Sequence, residues 1–148
     1  MKEIMIPPTN PTLLIRTYSA VSKAKNGVPE IGKELLAKHF TTKPDGIPGN
    51  DDTGTMSAWA IFSMMGLYPD CPGVPEYTLT TPTFDEVTIK LDPEYWGKDK
   101  LVIKKEGHGD YIKEIRLGNK KINKYLISHD DLIKAGEITF VVTDHINK

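Results

Sequence analysis

Midway along this chain the spacing of the apolar residues changes, and that change limits the folds open to it. Before residue 66 they recur at helical intervals; from Val87 they alternate. "NPTLLIRTYSAVSKAKNG" carries a stripe at Leu13, Leu14, Tyr18 and Val21, closed by Asn26-Gly27. "PEIGKELLAKHF" sets Ile31, Leu35, Leu36 and Phe40 on one side of a second helix, with Pro29 suited to its first turn. "EVTIKL" instead opposes Val87, Ile89 and Leu91 to Thr88 and Lys90, the pattern of a half-buried strand. "KLVIKK", "YIKEIRL", "KINKYL" and "EITFVV" continue as strands, with Leu117-Gly118-Asn119-Lys120 as a tight hairpin turn. "SHDDLIKAG" predicts one short helix among them, with Ser128 as cap and Asp131 completing a capping box. Helices followed by strands imply an α+β fold with an antiparallel sheet. The boundary falls near Pro72 to Pro75 and divides residues 1–71 from 72–148.

The segment "TMSAWAIFSMMG" is harder to place. It is apolar on nearly every face, so as a helix it calls for burial all round. A chain of 148 residues has little material with which to surround it. The loop before it, Thr41 to Gly54, is rich in Gly and Pro and sets two adjacent carboxylates, Asp51 and Asp52, just ahead of the apolar run. One reading is structural: Thr53 or Asp52 caps the helix, Gly46 and Gly49 supply turn geometry, and the carboxylates favour the helix N-terminus. The other is chemical. A carboxylate pinned by glycines at a helix mouth is well held for general-base work on water.

Several function classes are excluded by what the chain lacks. A net charge of −1 argues against nucleic-acid or acidic-membrane partners, which need a basic surface. The lysines of the last third are interleaved with acids and read as a solvated sheet face. Cys71 is alone, so neither an internal disulfide nor a cysteine metal site can form, and in "YPDCPG" it reads as an idle turn residue. His39, His108, His129 and His145 show no metal-ligand spacing. Ser128-His129-Asp130 is no triad, because consecutive side chains diverge; Ser128 serves as a helix cap. Asn50-Asp51-Asp52 lacks the alternate ligands and twelfth-position Glu of a calcium loop, and Thr55 stands where a phosphate loop needs lysine. The start "MKEIMIPPTNP" does not read as a signal peptide, and no segment is long and apolar enough to span a bilayer.

"GIPGNDDTGTMSAWAIFSMMGLYPDCPGVPEYTLTTPTFDEVTIKL", Gly46 to Leu91, resembles the C-terminal signature of glycoside hydrolase family 92, the calcium-dependent exo-α-mannosidases. The likeness is densest in "GNDD…G.MSAW..FS.MG.YP", and weaker similarity on both flanks extends it over nearly the whole chain. Members of that family are much longer, with an N-terminal β-sandwich, an (α/α)6 barrel and C-terminal strands. The resemblance therefore implies that residues 1–71 form the last barrel helices and 72–148 the closing strands. It also explains an all-apolar helix whose neighbours lie elsewhere.

By position, the resemblance implies Asp52 as the base that activates water, with Asp51 orienting the loop or the sugar and Gly49 and Asn50 at the substrate. Asn50 stands where some relatives carry a further acid, and Thr55 where many have glutamine. Trp59, Tyr68 and Tyr77 read as packing residues. The resemblance further implies hydrolysis of terminal α-mannosidic bonds, α-1,2 in type, in glycans, with inversion and with calcium as cofactor. Most calcium ligands and the general acid are expected outside this chain, in the remaining part of the mannosidase on the same or a separate polypeptide, so the chain alone is expected to be inactive. Such enzymes are often periplasmic or secreted. The competing reading is a non-catalytic β-rich module that binds a partner or a glycan, its GNDD loop only a helix cap.

Overall fold

The computed structural model describes residues 29–71 and 73–145. The expected helix over residues 10–27 and the side chain of Ile31 lie outside them. Helix α1 (Pro29–His39) leads through a long loop and a single 3-10 turn (Asp52–Gly54) into α2 (Thr55–Met65). Strands β1 (Leu67–Tyr68), β2 (Glu76–Leu79) and β3 (Glu86–Lys90) follow, then a one-turn helix α3 (Pro93–Trp96). Next come β4 (Lys100–Gly107), β5 (Tyr111–Leu117), β6 (Lys120–Ile122), β7 (Leu126–Ser128), α4 (His129–Ala135) and β8 (Glu137–Thr143).

The strands form two sheets, β1-β2-β7 and β3-β4-β8-β5-β6. The fold is α+β, as the change of period implies. All pairings are antiparallel except the central one, β4 with β8, which runs parallel from Val102↔Glu137 to Gly107↔Val142. A strand's alternation sets which face is buried but not its partner's direction. Here the intervening strands and α4 provide the long crossover that a parallel pair needs. β5 carries an irregularity between Ile112 and Glu114, where the register with β8 shifts.

β3 shows the expected alternation: Val87 and Ile89 are half-buried, while Glu86, Thr88 and Lys90 are exposed. The middle strands β4 and β8 bury consecutive residues, Leu101 to Ile103 and Ile138 to Phe140, because both sheet faces are covered there. Leu101, Ile103, Ile138 and Phe140 of these runs form one core with Leu67, Leu79, Ile115, Ile127, Leu132, Ile133 and Val142. Each large side chain fully buried there contributes about 1.5–3 kcal/mol. The lysines outside it meet acids: Lys104 pairs with Glu137 at 2.7 Å and Lys121 with Glu114 at 2.8 Å.

Local signals explain the smaller elements. Ser128 caps α4 by accepting the Asp131 amide at 3.1 Å, and Leu132 and Ile133 pin the helix to the sheet core. The β5–β6 hairpin turns at Gly118-Asn119, with Leu117 opposite Lys120 and Gly118 at φ +55°. "KINKYL" does not form one strand: β6 ends at Ile122 in the larger sheet and β7 begins at Leu126 in the smaller.

The second core joins Leu35, Met56, Trp59, Ala60 and Tyr68, with Leu36, Phe40, Phe62 and Met64 partly buried around it. α2 buries one side only, through Met56, Trp59, Ala60 and Ser63. Ala58 is exposed and Ile61 is 57% exposed, so burial on every face is not reached among the described residues. The helix ends at Gly66, in left-handed conformation at φ +78°. A Cβ at that position would lie 2.6 Å from the Thr80 carbonyl oxygen, so only glycine lets α2 turn into β1 there.

Candidate active site

The loop between α1 and α2 is fixed from both ends. At its start the Thr41 amide donates to the Gly46 carbonyl and the Gly46 amide to the Lys43 carbonyl, each at 2.9 Å. A Cβ at Gly46 would sit 2.1 Å from the Thr41 carbonyl oxygen, so any side chain there would open this clasp. At its end the Gly54 amide donates to the Asp51 carbonyl at 2.9 Å, closing the 3-10 turn.

Asp51 does the capping that sequence reading assigned to Thr53 or Asp52. Its Oδ1 accepts the Met56 and Ser57 amides at 2.8 and 2.9 Å, and its Oδ2 accepts the Ser57 hydroxyl at 2.5 Å. Neither of the residues at the formal helix boundary supplies a side-chain cap. Two consecutive left-handed residues, Thr53 (φ +54°) and Gly54 (φ +76°), separate Asp51 from the helix and fold the chain back over its first amides. Adjacency in sequence could not reveal this fold-back. The Ser57 hydroxyl, then the Ser57 amide, hold the Asp51 carboxyl below the usual aspartate range by favouring its charged form. Asp51 is thus a loop anchor, with both oxygens engaged.

Asp52 is exposed, and its carboxylate makes no hydrogen bond or ion pair among the described residues. Its carbonyl oxygen, by contrast, accepts both the Thr53 hydroxyl at 2.7 Å and the Thr55 hydroxyl at 2.6 Å. Thr53 is the single non-glycine residue with positive φ among those described. That conformation costs a β-branched residue about 1–2 kcal/mol. Sequence reading offers Thr53 as a helix cap and Thr55 as a departure from glutamine, but not their shared bond to the Asp52 carbonyl, which depends on the left-handed turn. Gly49 (φ +70°) and Asn50 are exposed on the same loop, and the Asn50 side chain has no partner among the described residues.

Beneath the loop lies a packed wall. Trp59 is 1% exposed and stacks on Phe40 with ring centroids 5.3 Å apart, so it is core rather than a sugar platform. Tyr68 is buried against Phe62 in an edge contact. Tyr77 lies far along the fold, its hydroxyl 2.9 Å from His129 Nδ1. Ser128, His129 and Asp130 lie at the start of α4, on the small helix that Ser128 caps.

The described residues alone do not assemble a calcium centre. No three His, Cys, Asp or Glu side chains come together among the described residues, and both Asp51 oxygens are occupied by hydrogen-bond donors. No helix there is long and apolar enough to cross a membrane. What the loop does offer is one anchored carboxylate beside one unengaged carboxylate, on a backbone locked at several points.

Comparison with known proteins bears on this arrangement. Residues 12–144 match the glycosyl hydrolase family 92 catalytic domain. A curated relative described as an uncharacterized secreted glycosidase, from Arthroderma benhamiae, is 31% identical over 107 residues, 70% of this chain and 14% of its own length. A family GH92 α-mannosidase from Bacteroides thetaiotaomicron shares the fold at TM-score 0.78 and 21% identity, over 93% of this chain and 19% of that one. A family GH92 inverting mannosidase of the same organism reaches TM-score 0.71 at 29% identity, over 85% and 18%. The chain thus spans less than a fifth of the length of these relatives. The aspartate loop, the apolar helix after it and the strands beyond all fall within the matched residues, and the chain belongs to glycosyl hydrolase family 92.

Proposed function

We propose that this chain supplies the water-activating side of an α-mannosidase site that cleaves terminal α-1,2-mannosidic bonds of glycans with inversion. Asp52 is the general base. Its carboxylate takes a proton from water, and the water oxygen attacks the anomeric carbon on the face opposite the departing group. A general acid from the remaining part of the enzyme, carried on the same or a separate polypeptide, protonates the glycosidic oxygen. In inverting enzymes the two carboxyl groups stand roughly 6.5–9.5 Å apart, with room for that water between them. Asp51 cannot be the acid, because its hydrogen bonds favour the charged form and hold it to α2. It orients the loop, while Gly49 and Asn50 lie beside the sugar. A calcium ion, which this family is expected to use, would be held mainly by groups outside the described residues.

One observation carries the reading: of two adjacent aspartates on a locked loop, one is consumed as an anchor and the other is left free to accept a proton. In the complete enzyme Asp52→Asn is expected to lower kcat by about 10²–10⁴-fold with little change in KM. Unchanged turnover removes Asp52 from the role. The 148-residue chain alone is expected to be inert toward an aryl α-mannoside, with or without calcium; turnover by it would refute a missing acid.

A further inference from the structure

On the reading of Asp52 as base, we propose that Thr55 is its positioning residue, acting through a clamp in which the Thr55 and Thr53 hydroxyls share the Asp52 carbonyl oxygen. A general base must hold its carboxylate in one place, yet the carboxylate itself has to stay free for the proton it accepts. The location of the side chain is then set by the two peptide groups flanking its Cα. On the N-terminal side the Asp51 carbonyl accepts the Gly54 amide at 2.9 Å, and the Asp51 carboxylate is tied to the Met56 and Ser57 amides. On the C-terminal side the Asp52 carbonyl oxygen accepts Thr53 Oγ1 at 2.7 Å and Thr55 Oγ1 at 2.6 Å.

The same oxygen also accepts the Thr55 backbone amide, so three donors, two hydroxyls and one amide, converge on it. The Asp52–Thr53 peptide plane cannot rotate without straining all three bonds, and the Thr55 hydroxyl adds to the hold that its own amide already provides. Thr53 makes its bond from a left-handed backbone at φ +54°, where glycine would sit without strain but would offer no hydroxyl. Thr55 reaches back from the first residue of α2, so it links the base to the helix rather than to the loop alone. Thr55 touches neither water nor sugar in this scheme. Its effect on the reaction runs through the backbone of Asp52.

The test compares Thr55→Val, which keeps the branched shape and removes the hydroxyl, with Thr55→Ser, which restores it. In the complete enzyme the valine variant is expected to lose about 10- to 100-fold in kcat, the scale on which small misplacements act, with KM held within about two-fold. Serine should recover most of the loss. In the 148-residue chain, NMR order parameters of the Asp52, Thr53 and Gly54 amides should fall from about 0.85 toward 0.6 in Thr55→Val and return in Thr55→Ser. Thr55→Ala provides a second hydroxyl-free variant should valine disturb the first turn of α2. Full kcat in both hydroxyl-free variants while Asp52→Asn is inactive overturns the clamp and leaves the base in place. Unchanged loop order, or failure of serine to restore either readout, overturns it as well. Full activity in Asp52→Asn overturns the base assignment itself.

Discussion

The five-stranded sheet and the helix α2 bury apolar side chains in different ways. In the sheet, Ile138 and Phe140 of the central strand are wholly inaccessible, and every strand has its neighbours among the described residues. In α2 the inner side packs on Phe40, Leu35 and Tyr68, while Ile61 and Ala58 on the other side meet solvent. A region that satisfies its own core can be shaped by its own contacts. A helix that is apolar beyond what it buries has been shaped for more than those contacts. The aspartate loop sits on the second kind of element, whose outer side is left uncovered among the described residues.

Four measurements would sharpen or break that contrast. Phe140→Ala removes a ring from the centre of the sheet and should cost about 3–5 kcal/mol, read from urea unfolding. A loss well below 2 kcal/mol would mean the sheet core is not the self-sufficient unit described. Ser128→Ala takes away the α4 cap at the sheet border and should cost about 1 kcal/mol in the same assay, with no effect on the aspartate loop.

Asp51 gives a pH-dependent test on the helical side. Folding lowers its pKa below the ordinary aspartate value of about 4, through Ser57 first and the helix amides next. Its stabilising contribution is therefore complete above that ordinary value and is lost as pH falls through the lower folded value. Urea midpoints of Asp51→Asn should accordingly lack the part of the wild-type acid decline that falls below pH 4. An identical decline in both proteins would show that the anchor does not form. The smallest effect is expected at Ile61→Ser, within about 0.5 kcal/mol in the 148-residue chain because the side chain is already exposed. The same change in the complete enzyme should cost distinctly more, and equal costs would dissolve the contrast.

Much of this was legible in the residues, for definite reasons. α1, α2, α4 and the Gly118-Asn119 hairpin carry their instructions within a few positions: a stripe, a capping serine, a glycine at a turn. The strands of the larger sheet announce themselves by alternation. The short helix α3 was equally readable, since Asp92 caps it, Pro93 starts it and Gly97 closes it, but it went unread among the strands. Pairing was not legible. Nothing local tells β8 to lie parallel to β4, or tells the chain to leave one sheet at Ile122 and enter the other at Leu126, because both choices depend on distant partners. At the site, the sequence located the two aspartates, and the resemblance implied Asp52 as base and Asp51 as orienting residue. Local residue types, however, assigned the helix cap to Thr53 or Asp52. The cap depends on the left-handed turn at Thr53 and Gly54, which places Asp51 rather than Asp52 over the helix amides.

The position of β8 has a consequence for how the protein is made. The ribosome delivers β3 through β6 first, yet their sheet lacks its middle until residues 137–143 emerge and slide between β4 and β5. Until then the nascent chain holds two separate hairpins whose inward-facing edges expose unpaired amides and carbonyls. Vectorial synthesis thus supplies the middle strand of this sheet after all its neighbours, and a chain interrupted between β6 and β8 would keep those edges open and be prone to clump.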